Sequence, residues 1–102
     1  MTRLIIKEGV KIVGLKPEAL LAINIAFHVY KKYGVDCVIT EITGGAHGTA
    51  SLHYVGLAFD LRTRDFNVSD LERVKAELKE ALGSEFDVVL ESDHLHLEWQ
   101  PK

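Results

Sequence analysis

The chain has 102 residues, 47% of them apolar and 26% charged, with a formal net charge of −3 and one cysteine. That size suits a compact unit with its own core, so residues 1–102 are expected to form a single domain. The acidic balance gives no general footprint for neutralising phosphates, which argues against nucleic acid as a partner, and a lone Cys37 excludes an intrachain disulfide.

At the N-terminus, the apolar run Leu4-Ile5-Ile6 is cut short by Lys7 and Glu8, so no signal peptide is expected. Pro17 suits a first helical turn, Glu18 favours the positive end of a helix dipole, and Gly34 after Lys31 and Lys32 is a stop signal. Residues 17–33 are therefore expected to be helical, and their apolar positions cover so much of the circumference that the helix should pack centrally with little exposed face. The longest apolar stretch, Ala19 to Phe27, contains Asn24 and is far short of a membrane span.

Val35 to Ile42 reads as a strand, with Cys37 as a buried thiol within it, and Gly56 to Leu61 as a second strand. Ser69 and Glu72 have the spacing of a capping box, and Leu71, Val74, Leu78 and Leu82 recur at helical spacing up to Gly83. The other face of this second helix is charged and reads as a solvated surface. Phe86 to Leu90 and His94 to Trp99 complete the pattern as two more strands. This order predicts an α+β domain with a mainly antiparallel sheet covered by helices on one face.

Four of the five histidines, His47, His53, His94 and His96, fall into two clusters flanked by Asp60, Glu91, Asp93 and Glu98. Imidazole nitrogen and carboxylate oxygen together suit zinc, and three such ligands leave a coordination position for water. His53 and Asp60 are seven residues apart, which would set them on opposite faces of a regular strand; a turn or bulge at Gly56 would bring His53 in from a loop edge, with Ala58 allowing close approach. His94, His96 and Glu98 alternate regularly, so either histidine can point to the same place. The competing reading of these residues is a hydrogen-bonded polar network at a sheet edge, and His28 on the first helix is read as hydrogen-bonded filler.

Ser51, His53, Gly56, Ala58 and Asp60 match the pattern S-x-H-x-x-G-x-A-x-D in full. With the downstream Asp93-His94-Leu95-His96, the chain resembles the zinc D-alanyl-D-alanine peptidases and their relatives, the phage L-alanyl-D-glutamate endopeptidases. That family shares a fold with hedgehog signalling domains, so the resemblance implies a hedgehog/DD-peptidase-like fold. It also implies zinc held by His53, Asp60 and His96, with Asp93 as the catalytic carboxylate; Glu91, placed as in the hedgehog arrangement, is the rival. His47, Ser51 and His94 are candidates for lining the substrate, against local roles as an exposed loop residue, a turn residue and a hydrogen-bonding neighbour respectively.

The chain departs from the family in one respect. Val38 to Ala50 has no arginine to hold a substrate carboxylate and carries Glu41 instead. Arg62 and Arg64 are an alternative clamp, unless they are merely solvated turn residues, and Trp99 is either a groove rim or packing.

The expected function is that of a zinc metallopeptidase cleaving a short amide bond, in peptidoglycan stem peptides as the resemblance implies, with a metal-activated water and a carboxylate base. The alternative is a non-catalytic, zinc-stabilised binding module or phage structural module of the same fold. No membrane partner is expected, and the protein is placed in the cytoplasm or with a phage particle, reaching its substrate by lysis or particle delivery.

Overall fold

The computed structural model describes residues 1–12, 15–42 and 58–100. His47, Ser51 and His53, and with them the proposed turn at Gly56, lie outside the described residues. The elements in chain order are β1 (Leu4–Ile6), α1 (Pro17–Lys32), β2 (Cys37–Ile42), β3 (Ala58–Arg62), α2 (Val68–Leu82), β4 (Phe86–Leu90) and β5 (His94–Trp99).

The architecture is α+β: two helices and one five-stranded sheet in the order β1-β2-β3-β5-β4. The sheet is mixed rather than mainly antiparallel as expected, because β1 pairs in parallel with β2, Leu4 opposite Cys37 and Ile6 opposite Ile39. Three residues beside Lys7 carry too little pattern to be read as a strand. They are held from outside, by Cys37 N–H donating to the Arg3 carbonyl at 2.8 Å and Lys7 N–H to the Ile39 carbonyl at 2.9 Å. α1 is the crossover that a parallel pair requires.

Strand alternation divides the sheet into two faces. Phe59 and Leu61 on β3 and Leu95 and Leu97 on β5 are all fully buried, and they form one core with Cys37, Ile39, Val88 and the inner faces of both helices. Burying each such side chain contributes about 1.5–3 kcal/mol. Cys37 behaves as a core residue; burial pushes its thiol up to about 12, leaving it un-ionised and unreactive at neutral pH. Trp99 alternates with Leu95 and Leu97 and lies opposite Phe86, which puts it on this helix-covered face.

Pro17 does open α1, but the helix does not pack all round. Ala19, Ala22, Ile23, Ala26, Val29 and Tyr30 form one buried stripe, while Leu20 and Leu21 are 59% and 65% exposed. Three of these six residues are alanines, whose small side chains leave room for close packing. α2 begins at Val68 with Asn67 at its N-cap and no side-chain cap, so the expected Ser69–Glu72 capping box does not form. Its stop is as expected: Gly83 takes φ 87° and donates its N–H to the Lys79 carbonyl at 3.1 Å.

Between β2 and β3 the register slips. Ile39 faces Leu61, yet Glu41 faces Asp60, so Thr40 is an extra residue on β2 and forms a bulge. Because the bulge shifts the alternation by one, Glu41 comes to the face opposite the core, level with Asp60.

Candidate functional site

Asp60 on β3 stands directly opposite His96 on β5, and Arg62 opposite His94. These four alternate with Phe59, Leu61, Leu95 and Leu97, so the packing of the core fixes them on the other face. The positional order is set by apolar residues that take no part in the chemistry.

Across this face the polar side chains form a connected series. Asp60 Oδ1 lies 2.7 Å from His96 Nδ1, and Asp60 Oδ2 lies 3.6 Å from His94 Nε2. His94 Nδ1 is in turn 2.7 Å from Asp93 Oδ1, and His96 Nε2 is 3.1 Å from Glu98 Oε1. Gln100 Nε2 donates to the other oxygen of Glu98 at 3.0 Å. Asp60 is thus the carboxylate on which both downstream histidines converge, and its side chain is only 14% exposed.

His96 is held between two carboxylates, one at each ring nitrogen. Two carboxylate acceptors call for two N–H donors, which only the imidazolium supplies. Burial works against that charge, but the hydrogen bonds and charges of Glu98 and Asp60 outweigh it, and the His96 pKa lies above its ordinary value. Asp93 sits at the outer end of the series, 84% exposed, and the hydrogen bond from His94 holds its carboxyl below the usual range.

Asp93 lies in the turn between β4 and β5 and His94 opens β5; the turn is closed by Glu91 N–H donating to the His94 carbonyl at 2.8 Å. The structure therefore brings together Asp60, His94, His96 and Asp93. Glu91 is exposed at the far side of the same turn.

The donor set of imidazoles and carboxylates fits zinc chemically. Among the described residues, however, no three side chains of His, Cys, Asp or Glu are arranged to hold an ion. Asp60 and His96 touch directly at 2.7 Å, whereas two ligands each about 2.0–2.1 Å from a shared tetrahedral zinc stand somewhat farther apart. A cation entering here would take the place of a proton on His96 and keep Asp60 or Glu98 beside it.

One neighbour escaped the sequence reading, and another is placed differently from one of its two readings. Glu41, seen there only as the absence of an arginine, lies level with Asp60 through the Thr40 bulge, and a bulge leaves no periodic signal. Arg62 is not a freely solvated turn residue either: it ends β3, its side chain is 29% exposed, and it pairs with Asp65 at 2.9 Å. Beside His94 a cavity of about 350 Å³ is lined by Lys7, Thr40, Arg62, Arg64, Asp93 and His94.

Compared with known proteins, the sequence matches no family model and no curated protein. The motif resemblance therefore stands on the quoted residues alone. No described helix is long and apolar enough to cross a membrane.

Proposed function

We propose that this chain is a zinc-dependent peptidase with a hedgehog/DD-peptidase-like fold, hydrolysing a short peptide amide in bacterial peptidoglycan stem peptides. The observation that carries the reading is the direct opposition of Asp60 and His96 on neighbouring strands, with His94 joining Asp60 to Asp93. His53, the third ligand implied by the resemblance, belongs to the same motif as Asp60.

Bound at His53, Asp60 and His96, zinc supplies a Lewis acid and lowers the pKa of water toward neutrality. The chain's own groups do the rest. Asp60 and His96 arrive on two strands pinned by the core beneath them, so their geometry is preorganised. Asp93, whose carboxyl the hydrogen bond from His94 holds below its ordinary value, is the proposed acceptor of the proton released as water attacks the carbonyl, and it returns that proton to the amine as the C–N bond breaks. His47 and Ser51 are proposed to line the substrate with His94. A protein from the cytoplasm or from a phage particle would meet this substrate after lysis or delivery.

A second reading, a non-catalytic module of the same fold, draws on the satisfaction of His96 at both nitrogens by carboxylates without any metal. Incubating zinc-loaded protein with purified stem peptides, followed by mass spectrometry, separates the two. Zinc-dependent cleavage that disappears with chelator and in Asp93→Ala, while that variant still binds zinc, is the expected result. Stoichiometric zinc without cleavage favours the binding module, and no zinc binding at all favours the polar network.

A further inference from the structure

Among the described residues β1 ends the sheet, with β2 as its one neighbour. Cys37 N–H donates to the Arg3 carbonyl and Lys7 N–H to the Ile39 carbonyl, so Arg3 and Lys7 bond inward to β2. Residues that bond a given neighbour alternate along a strand, which turns the N–H and C=O groups of Leu4 and Ile6 outward, along the open edge. Their side chains stand on the helix-covered face, because Leu4 lies opposite Cys37 and Ile6 opposite Ile39, both of the core. There they are 42% and 46% exposed, on the same side of the sheet as the exposed Leu20 and Leu21 of α1. Leu4, Pro17, Leu20 and Leu21 share a groove of about 430 Å³.

Open edges invite pairing, and large apolar side chains beside one add to the attraction. This edge is complementary to itself. A two-fold axis normal to the sheet and passing through Ile5 sets a second β1 antiparallel to the first, with Leu4 of each copy opposite Ile6 of the other. Opposed residues share a face and such a pair can exchange both N–H···O bonds, so this register satisfies the outward groups of Leu4 and Ile6 and keeps their side chains on the helix side. Every apolar residue of the strand meets an apolar one, Ile5 facing Ile5. The same axis brings both copies of α1 to one face, where Leu20 and Leu21 close over the joined strands.

We infer that the chain associates with a second copy of itself through β1 in this register, doubling the five-stranded sheet. Because the axis is normal to the sheet, the Asp60–His96 faces of both copies look the same way, opposite the helices. The inference is independent of the proposed peptidase. It carries a charge signature on that face, where Arg3 falls opposite Lys7 of the second copy. Asp36 engages Arg3 at 3.5 Å, but the two cations still oppose one another across the axis.

Sedimentation equilibrium of the full chain, metal-free in chelator so that no ion bridges two copies, tests the inference. A reversible monomer–dimer equilibrium with a micromolar dissociation constant is expected, and added salt should strengthen it by screening Arg3 from Lys7. Lys7→Glu sets a carboxylate against Arg3 and is expected to tighten association several-fold. Leu20→Glu combined with Leu21→Glu, both at exposed positions, should weaken it roughly tenfold or more. Leu4→Pro removes an outward N–H without touching a bond to β2 and should abolish it, the far-ultraviolet circular dichroism of these variants matching the parent's. Should Leu4→Pro fail to fold, Lys7→Glu still decides the register. A chain that is monomeric at about 1 mM, a dimer that Lys7→Glu does not tighten, or one indifferent to the leucine substitutions would overturn the inference. Failure of the peptidase reading would appear separately, as an absence of stem-peptide cleavage with this association intact.

Discussion

Asp60 is the single residue through which both downstream histidines communicate, and its two oxygens are divided between them. Asp60→Asn keeps the shape but removes the negative charge, and it offers one oxygen where there were two. Zinc affinity is expected to fall at least tenfold, in line with the cost of altering a carboxylate in or beside a metal site, as read by competition with a chromophoric chelator. Unchanged affinity would remove Asp60 from the ligand set. His96 gives a second expectation. Its pKa is raised in the folded protein, so its protonation contributes stability that is full below the unfolded value near 6.5 and is lost as pH rises through the folded value. The urea midpoint of metal-free protein should therefore decline as pH rises above about 6.5 by more than that of His96→Gln, which has no imidazole at this position. Parallel pH profiles for the two proteins would contradict the assignment.

At the level of elements, β4, β5 and both helices were legible because their apolar residues recur with a clean period, and β4 and β5 begin and end where expected. The same alternation made His94, His96 and Glu98 legible as one face. What escaped was set by partners distant in the chain. β1 is a strand only because Cys37 to Ile39 accept it as a parallel neighbour, and Glu41 reaches the site only because Thr40 bulges against β3. The exposure of Leu20 and Leu21 was equally hidden, since hydrophobicity shows which residues can be buried and not which face the sheet takes. Tyr30 shows how a helix is tied to this sheet. Its ring is fully buried edge-to-face against Phe66, and its hydroxyl donates to the Arg62 carbonyl at 2.9 Å, next to the cationic cavity. Burial and neighbouring acidic groups push its pKa above the ordinary value, so it stays a donor throughout the physiological range. Tyr30→Phe keeps the packing and strands that carbonyl, for a cost of about 1–3 kcal/mol. The expected readout is a lower urea midpoint with an unchanged denaturant slope; a stability equal to the parent's would mean water replaces the hydroxyl.

For the molecule as a whole, the two faces of the sheet divide the work between them. The helix-covered face holds the core residues Phe59, Leu61, Leu95 and Leu97, whereas Asp60, Arg62, His94 and His96 occupy the other. Stability and chemistry thus come from alternate residues of the same strands, and changing one set need not dismantle the other. Leu97→Ala, which opens a void in the core, should cost about 2–5 kcal/mol with or without metal. Removing metal should leave helix and sheet intact, because none of the core contacts passes through the polar series. If zinc binds as proposed, it binds the folded arrangement, since Asp60 and His96 meet only once β3 and β5 have paired, and binding only to the native state must raise stability. At free zinc one hundredfold above Kd the gain is about 2.7 kcal/mol. In a chain of this length each kcal/mol shifts Tm by about 4–8 °C, so melting is expected to rise by roughly 10–20 °C with zinc and to return reversibly on chelation, the circular dichroism of the folded state being the same in both. A far-ultraviolet spectrum that collapses in chelator would mean that the metal is part of the scaffold after all. A Tm indifferent to zinc would mean that Asp60, His94 and His96 are satisfied by one another, as a hydrogen-bonded network sitting on a self-sufficient core.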